Sequence, residues 1–230
     1  MTILITGTSR GIGFDTIQQL AQNVEHKIIA ISRNTDGLEE LVAATGLNNV
    51  QVLSLDLTNF DEVYLYGALS EIDSVDVLIN NAGLLINKPF DQLTDKEWKS
   101  IFEVNVFGLV RLVKALLPKL KAEKGAHILN ISSMGGVQGS SKFPGLSAYS
   151  ASKAAVINIT ECLAEELKEE NINVNCLALG AVQTEMLAEA FPGYQAPLSS
   201  QQMASYLCWF ALNGHHFHNG KVIPVAVSTP

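Results

Sequence analysis

Basic residues are scarce in this chain: 15 Lys and Arg stand against 23 Asp and Glu, a formal net charge of −8. Neutralising a phosphate backbone needs a basic face, so a nucleic-acid partner is not expected. A small anionic ligand stays open, because one or two placed arginines can hold a phosphate. Cysteine is scarcer still. Cys162, Cys176 and Cys208 lie far apart with no C-x-x-C, so neither a disulfide framework nor a metal site is expected, and they read as buried apolar residues in a reducing compartment. No apolar run reaches a membrane span of about 20 residues. The best stretch, Val104 to Leu117, is interrupted by Arg111 and Lys114. The first strand-like run starts at Thr2 and leaves no room for a cleavable leader, so a cytoplasmic protein with no membrane association is the expectation. Repeats, low-complexity tracts and Pro/Ser-rich linkers are also absent, which makes a single domain over 1–230 the simplest organisation.

What is present is a chain able to fill a core, with 47% hydrophobic and only 17% charged residues. Short β-branched runs occur at Thr2–Thr6, Lys27–Ser32, Val50–Leu53, Val75–Asn80, His127–Ser132, Asn173–Ala178 and Val222–Val225. They are continuously apolar, as strands buried on both faces should be. Amphipathic segments separate them: Gly13–Gln22, Leu38–Ala44, Phe60–Leu69, Asp95–Lys121, Ala148–Glu169 and Ser200–Leu212. Such alternation predicts an α/β fold: a three-layer, doubly wound, Rossmann-like parallel sheet of about seven strands, with its ligand at the carboxyl ends of the strands. Thr94 and Glu97 have the spacing of a capping box for the long helix after them.

The first chemical motif, Gly7-x-x-x-Gly11-x-Gly13, follows the first strand directly and opens the first helix. A sharp turn, close approach of a pyrophosphate to backbone N–H groups and close helix–sheet packing all ask for glycine here. Alone, the motif also fits an ordinary βα turn. Further motifs follow in order: Asn80-Asn81-Ala82-Gly83, Asn105 within Val104-Asn105-Val106-Phe107-Gly108, Ile131-Ser132-Ser133, and Tyr149-x-x-x-Lys153. Together they closely resemble the short-chain dehydrogenase/reductase family over nearly the whole chain. The resemblance implies a catalytic set of Asn105, Ser133, Tyr149 and Lys153. It also implies cofactor contacts from Gly7, Ser9, Arg10, Gly11, Ile12, Gly13, Asn81, Ala82, Gly83, Tyr149 and Lys153.

Four residues apart on one helix, Tyr149 and Lys153 share a face. A phenol titrates near about pH 10, and a neighbouring ammonium should lower that value. Tyr149 could then donate a proton to a carbonyl oxygen or take one from an alcohol, while Ser133 holds the same oxygen. The resemblance adds a ribose contact for Lys153 and places Asn105 in a water-linked proton path. Ser132 and Ser147 remain alternatives to Ser133, because adjacent strand residues face opposite ways. The interval from Ser133 to Tyr149 is also a few residues longer than usual, with the excess placed near Ser140–Phe143.

At the end of the second strand, Ser32 and Arg33 stand where NAD users generally carry an acid. With Arg10 they suggest a clamp for a 2′-phosphate, hence NADP(H), with NAD(H) as the alternative. Asp56 and Leu57 resemble the adenine contact, and Gly180, Val182 and Thr184 the carboxamide and phosphate contacts. Three features depart from the family pattern: no proline precedes Gly180, the lid between Thr184 and Ser200 is short, and the C-terminal Asp-Gly-Gly is missing. Met186, Phe191 and Tyr194 are either pocket walls or core. His215, His216 and His218 read as a solvated turn and no metal is expected. The expected activity is NADP(H)-dependent reduction of a small-molecule ketone or aldehyde. An NAD-dependent alcohol dehydrogenase and a catalytically weak, cofactor-binding regulatory protein are the alternatives. Family habit implies a homodimer or homotetramer.

Overall fold

In the first strand, Ile3 and Ile5 point to one side and Leu4 to the other, and each joins a different apolar cluster. The computed structural model, which describes residues 1–227, repeats this division throughout. The chain runs β1 (Thr2–Thr6), α1 (Gly11–Leu20), β2 (Lys27–Ser32), α2 (Asp36–Thr45), β3 (Val50–Ser54) and α3 (Glu62–Ala68). It continues through β4 (Val77–Asn80), α4 (Asp95–Phe102), α5 (Gly108–Leu120), β5 (Ala126–Ser133), α6 (Ser147–Glu166) and β6 (Ile172–Leu179). Then come β7 (Val182–Gln183), α7 (Glu185–Ala190), β8 (Leu198–Ser199), α8 (Ser200–Asn213) and β9 (Val222–Val225).

Seven strands form one sheet in the order β3-β2-β1-β4-β5-β6-β9, and every pairing is parallel. On one face Leu65, Leu112, Leu116 and Val156 of α3, α5 and α6 meet Leu4, Ile29 and Leu78. On the other, Ile17, Leu38, Leu207 and Phe210 of α1, α2 and α8 meet Ile3, Ile28 and Leu177. This is the doubly wound α/β fold that the alternation predicts. Strand order reverses between β1 and β4, so a crevice opens at their carboxyl ends. Among the described residues no helix is long and apolar enough to cross a membrane.

Three local expectations need correction. The segment Asp95–Lys121 is not one continuous α-helix: α4 and α5 are joined by a π-helical stretch, Glu103–Phe107. Close packing accompanies the irregularity, since a Cβ on Gly108 would stand 2.9 Å from Leu57 Cβ. Cys162 is exposed on α6 while Cys176 is buried. The histidine cluster is not simply a solvated turn, because the His215 ring lies 5.3 Å from that of His127, inside the protein.

His127 is held by two bonds at the start of β5. Its Nδ1 faces the Ala211 carbonyl at 2.9 Å and its Nε2 faces the Asn175 amide at 3.2 Å. A carbonyl only accepts, so Nδ1 carries the proton and Nε2 receives one from Asn175. Burial lowers the His127 pKa to about 4. Between about pH 6.5 and 4 the unfolded chain therefore binds a proton that the folded site refuses, and stability falls as pH falls through that window. The contribution is about 3 kcal/mol. Urea titrations should show a stability–pH slope in this range that is shallower in His127→Gln; equal slopes would contradict the assignment.

Candidate active site

The crevice is built from the turn after β1. Thr6 Oγ1 accepts the N–H groups of Asn81 and Ala82, each at 3.1 Å. Asn81 Nδ2 returns bonds to the carbonyls of Thr6 and Gly7, both at 3.0 Å. Gly7 N and Thr8 Oγ1 both donate to Ile31 O, at 2.9 and 3.1 Å, so β2 fixes the other side. Gly7 takes φ +71° and Gly11 φ +59°, a region glycine enters without a Cβ penalty. A Cβ on Gly7 would stand 2.6 Å from Ala82 Cα, and one on Gly13 would collide with the Gly7 carbonyl. No side chain caps the N-terminus of α1, so its first N–H groups are left to a ligand or to water.

A cavity of about 820 Å³ lies over this loop. Its walls include Gly7, Ser9 to Gly13, Ser32, Arg33, Asp56, Leu57, Asn81 to Gly83, Ser133, Tyr149, Lys153, Gly180, Val182 and Thr184. Of the residues singled out from the sequence, Asn105 stands behind the wall. Its Oδ1 accepts from Leu84 N at 2.7 Å, and its Nδ2 donates to Leu84 O and Ser152 Oγ at 3.0 and 2.9 Å. It makes no direct bond to Lys153. The two approach across Gly83, whose absent Cβ would lie 3.6 Å from both Asn105 Oδ1 and Lys153 Nζ.

The three candidate serines differ in their partners, although Ser132 and Ser133 both border the cavity. Ser132 Oγ donates to the Lys153 carbonyl at 2.8 Å inside the core, and Ser147 Oγ is buried without a partner. Ser133 faces the cavity and accepts from Gly135 N at 3.2 Å. Lys153 is buried, and its Nζ donates to Ile131 O at 2.8 Å and lies 5.9 Å from the Tyr149 ring centre. Burial lowers its pKa to about 8. The phenol departs from the sequence expectation: desolvation raises the Tyr149 pKa, and the Ser133 hydroxyl is the opposing influence. The physical reason is that the ammonium is turned toward Ile131, so burial outweighs its attraction for a phenolate.

At the far end of the cavity Arg33 is exposed, with no carboxylate partner among the described residues. Ser32 is buried and donates to Asn34 O. Arg10 is bound by Glu189 of α7. Asp56 Oδ1 accepts from Thr58 N and Oγ1 at 2.9 and 2.8 Å, which orients the carboxylate. The turn lacking a proline is held instead by Gly180 N donating to Val225 O at 2.9 Å and by β7 pairing with β8. Thr184 caps α7, accepting from Leu187 N at 3.2 Å. Met186, Phe191 and Tyr194 border the cavity, and so do Phe143 and Leu146 from the lengthened loop. Leu85, Val104 and Met134 add to the apolar walls. Sequence reading missed these three and Glu189; nothing local links Glu189 to an arginine 179 positions away.

Fold and site together define a doubly wound α/β protein with a glycine-turn crevice and a Ser-Tyr-Lys wall. The family model described as short chain dehydrogenase matches residues 1–195. The chain belongs to the short-chain dehydrogenase/reductase family, whose members are nicotinamide-dependent oxidoreductases. It is 34% identical to a 3-oxoacyl-acyl-carrier-protein reductase of Chlamydia trachomatis over 97% of this chain and 95% of that protein. It is 36% identical to an uncharacterized oxidoreductase of Staphylococcus saprophyticus over 80% of this chain and 75% of that one. Among solved structures, a 3-ketoacyl-acyl-carrier-protein reductase of Brucella melitensis complexed with NADH superposes with a TM-score of 0.85. Identity to it is 25%, and the match covers 97% of this chain and 96% of that one.

Because Gly13 abuts a carbonyl that cannot retreat without breaking the Asn81 bonds, Gly13→Ala should cost about 1–3 kcal/mol. Thermal denaturation checks this; an unchanged midpoint would show that the turn gives freely.

Proposed function

We propose that this protein reduces a ketone or aldehyde to an alcohol with NADPH. The observation that carries the reading is the convergence of Ser133, Tyr149 and Lys153 on one wall of the cavity that the glycine turn floors. The bound nicotinamide supplies the hydride. Tyr149 donates the proton: the phenol is protonated at neutral pH, and because burial raises its pKa and weakens it as an acid, its neighbours must help the proton leave. Ser133 donates a hydrogen bond to the same oxygen and stabilises charge developing there. Lys153 places a buried ammonium behind the phenol and draws electron density from it as the proton leaves. Asn105 holds the Leu84 backbone and, across Gly83, borders the route by which a proton reaches Lys153.

Preference for NADPH over NADH rests on the end of β2. No acid stands there to repel a 2′-phosphate, and the guanidinium of Arg33 is open to bind one. Ser9, Gly11, Ile12 and Gly13 would hold the pyrophosphate through their backbone, Asp56 and Leu57 the adenine, and Val182 and Thr184 the nicotinamide end, all of them lining the one cavity. The walls from Leu85, Val104, Met134, Phe143, Leu146 and Met186 carry no charge, so the carbonyl compound bears an apolar, uncharged substituent. The relative from Chlamydia trachomatis is by name a 3-oxoacyl-acyl-carrier-protein reductase, which supports a carbonyl reduction here.

Tyr149→Phe removes the proton donor alone. Turnover of a carbonyl substrate, followed by nicotinamide absorbance, should fall roughly 10²- to 10⁴-fold while NADPH affinity stays within about twofold. Undiminished turnover would overturn the mechanism. The basic limb of the reduction rate should lie near pH 8, where Lys153 loses its proton, rather than above about pH 10, where a free lysine does.

A further inference from the structure

The short lid helix α7 rests on the glycine turn at two places. At its start the Thr184 methyl and the Glu185 carboxylate crowd Gly11, where a Cβ would stand 3.3 Å from Thr184 Cγ2 and 3.4 Å from Glu185 Oε2. One helical turn later, on the same face, Glu189 grips the Arg10 guanidinium with both oxygens: Nη1 to Oε1, and Nη2 to Oε2 at 3.3 Å. The far end of α7 is fastened independently, Asn87 Nδ2 donating to Ala190 O at 2.8 Å. Glu189 is thus delivered to Arg10 by a helix held at both ends.

Arg10 borders the cavity beside the turn, and Arg33 borders it beyond β2. A guanidinium meets a carboxylate or a phosphate through the same planar fork of N–H groups, so one bidentate partner displaces another. Arg33 has no carboxylate partner among the described residues, whereas Arg10 has one supplied by the lid.

We propose that Glu189 is a coenzyme-specificity residue, competing with the coenzyme 2′-phosphate for Arg10 and so setting the NADPH-to-NADH preference from the substrate lid. The inference rests on the NADP(H) reading above and deepens it. An unphosphorylated coenzyme leaves the Arg10–Glu189 pair intact and the lid tied to the turn. A phosphorylated one draws Arg10 away and frees α7 at that contact. The selectivity this chain shows is then weaker than two unengaged arginines would give, and it is tuned by a residue outside the adenosine pocket. The mutual stabilisation of the pair is consistent: Glu189 raises the Arg10 pKa, and Arg10 lowers that of Glu189.

The test is steady-state kinetics of Glu189→Gln with each coenzyme, together with inhibition by 2′,5′-ADP and 5′-AMP. The KM for NADPH should fall about two- to fivefold, the scale of an exposed ion pair, with the KM for NADH and both kcat values unchanged. Tighter inhibition by 2′,5′-ADP, not 5′-AMP, should accompany it, and both gains should shrink in high salt. Glu189→Asp, which keeps the charge, should stay nearer the parent than Gln. In an Arg10→Ala background the Gln substitution should do nothing. A parallel change with both coenzymes, or weaker NADPH binding, would reduce Glu189 to a strut of the lid and overturn the inference alone. If Arg10→Ala by itself leaves NADPH binding untouched, the phosphate assignment of Arg10 falls and the competition with it.

Discussion

The Asn81 side chain joins the two strands between which the sheet changes direction. Its amide donates to the carbonyls of Thr6 and Gly7, while the Thr6 hydroxyl takes the N–H groups of Asn81 and Ala82. The ladder between β1 and β4 runs only as far as Ile5 and Ile79. Beyond them this clasp sets where β1 ends and how sharply the chain turns into α1. The rest of the crevice inherits that geometry. Gly7 is pressed against Ala82, Gly13 against Gly7, and the first N–H groups of α1 are left facing the cavity.

On the opposite wall the deciding term is desolvation. Lys153 lies inside the protein with the Ile131 carbonyl as its one described hydrogen-bond acceptor, and burial weakens its hold on a proton. The same burial keeps the proton on Tyr149. A pair commonly pictured as an ammonium sharpening a phenolate therefore rests in the opposite state: a reluctant ammonium beside a firmly protonated phenol. That state leaves the proton on the phenol, where a carbonyl oxygen can take it, but it also makes Tyr149 a weaker acid that the neighbouring ammonium must assist.

The central strands were legible because burial on both faces leaves apolar runs. Each of the seven expected runs overlaps a strand of the sheet, although β4 starts at Val77 rather than Val75, and β3 and β9 are only partly buried. What escaped the sequence lacks a period. β7 and β8 have two residues each and α7 has six, too few for a 2.0 or 3.6 repeat to register. The π-helical stretch at Glu103–Phe107 keeps nearly the helical pattern and so reads as unbroken helix. The serine pair shows the limit from another side. Opposite faces for Ser132 and Ser133 follow from strand geometry, but which one meets the core depends on the Lys153 carbonyl, a partner 21 residues away. Arg10 was legible as a cavity residue from its place in the glycine turn, whereas its engagement by Glu189 arises only from the fold.

The central claim is that this crevice takes a phosphorylated nicotinamide coenzyme against the Ser133–Tyr149–Lys153 wall. Titrating the purified protein with NADPH and with NADH, while following nicotinamide fluorescence, tests it most directly. The account predicts saturable binding of both, tighter for NADPH, with emission altered as the ring enters the apolar cavity. Equal or tighter binding of NADH, or no binding of either coenzyme, would contradict it.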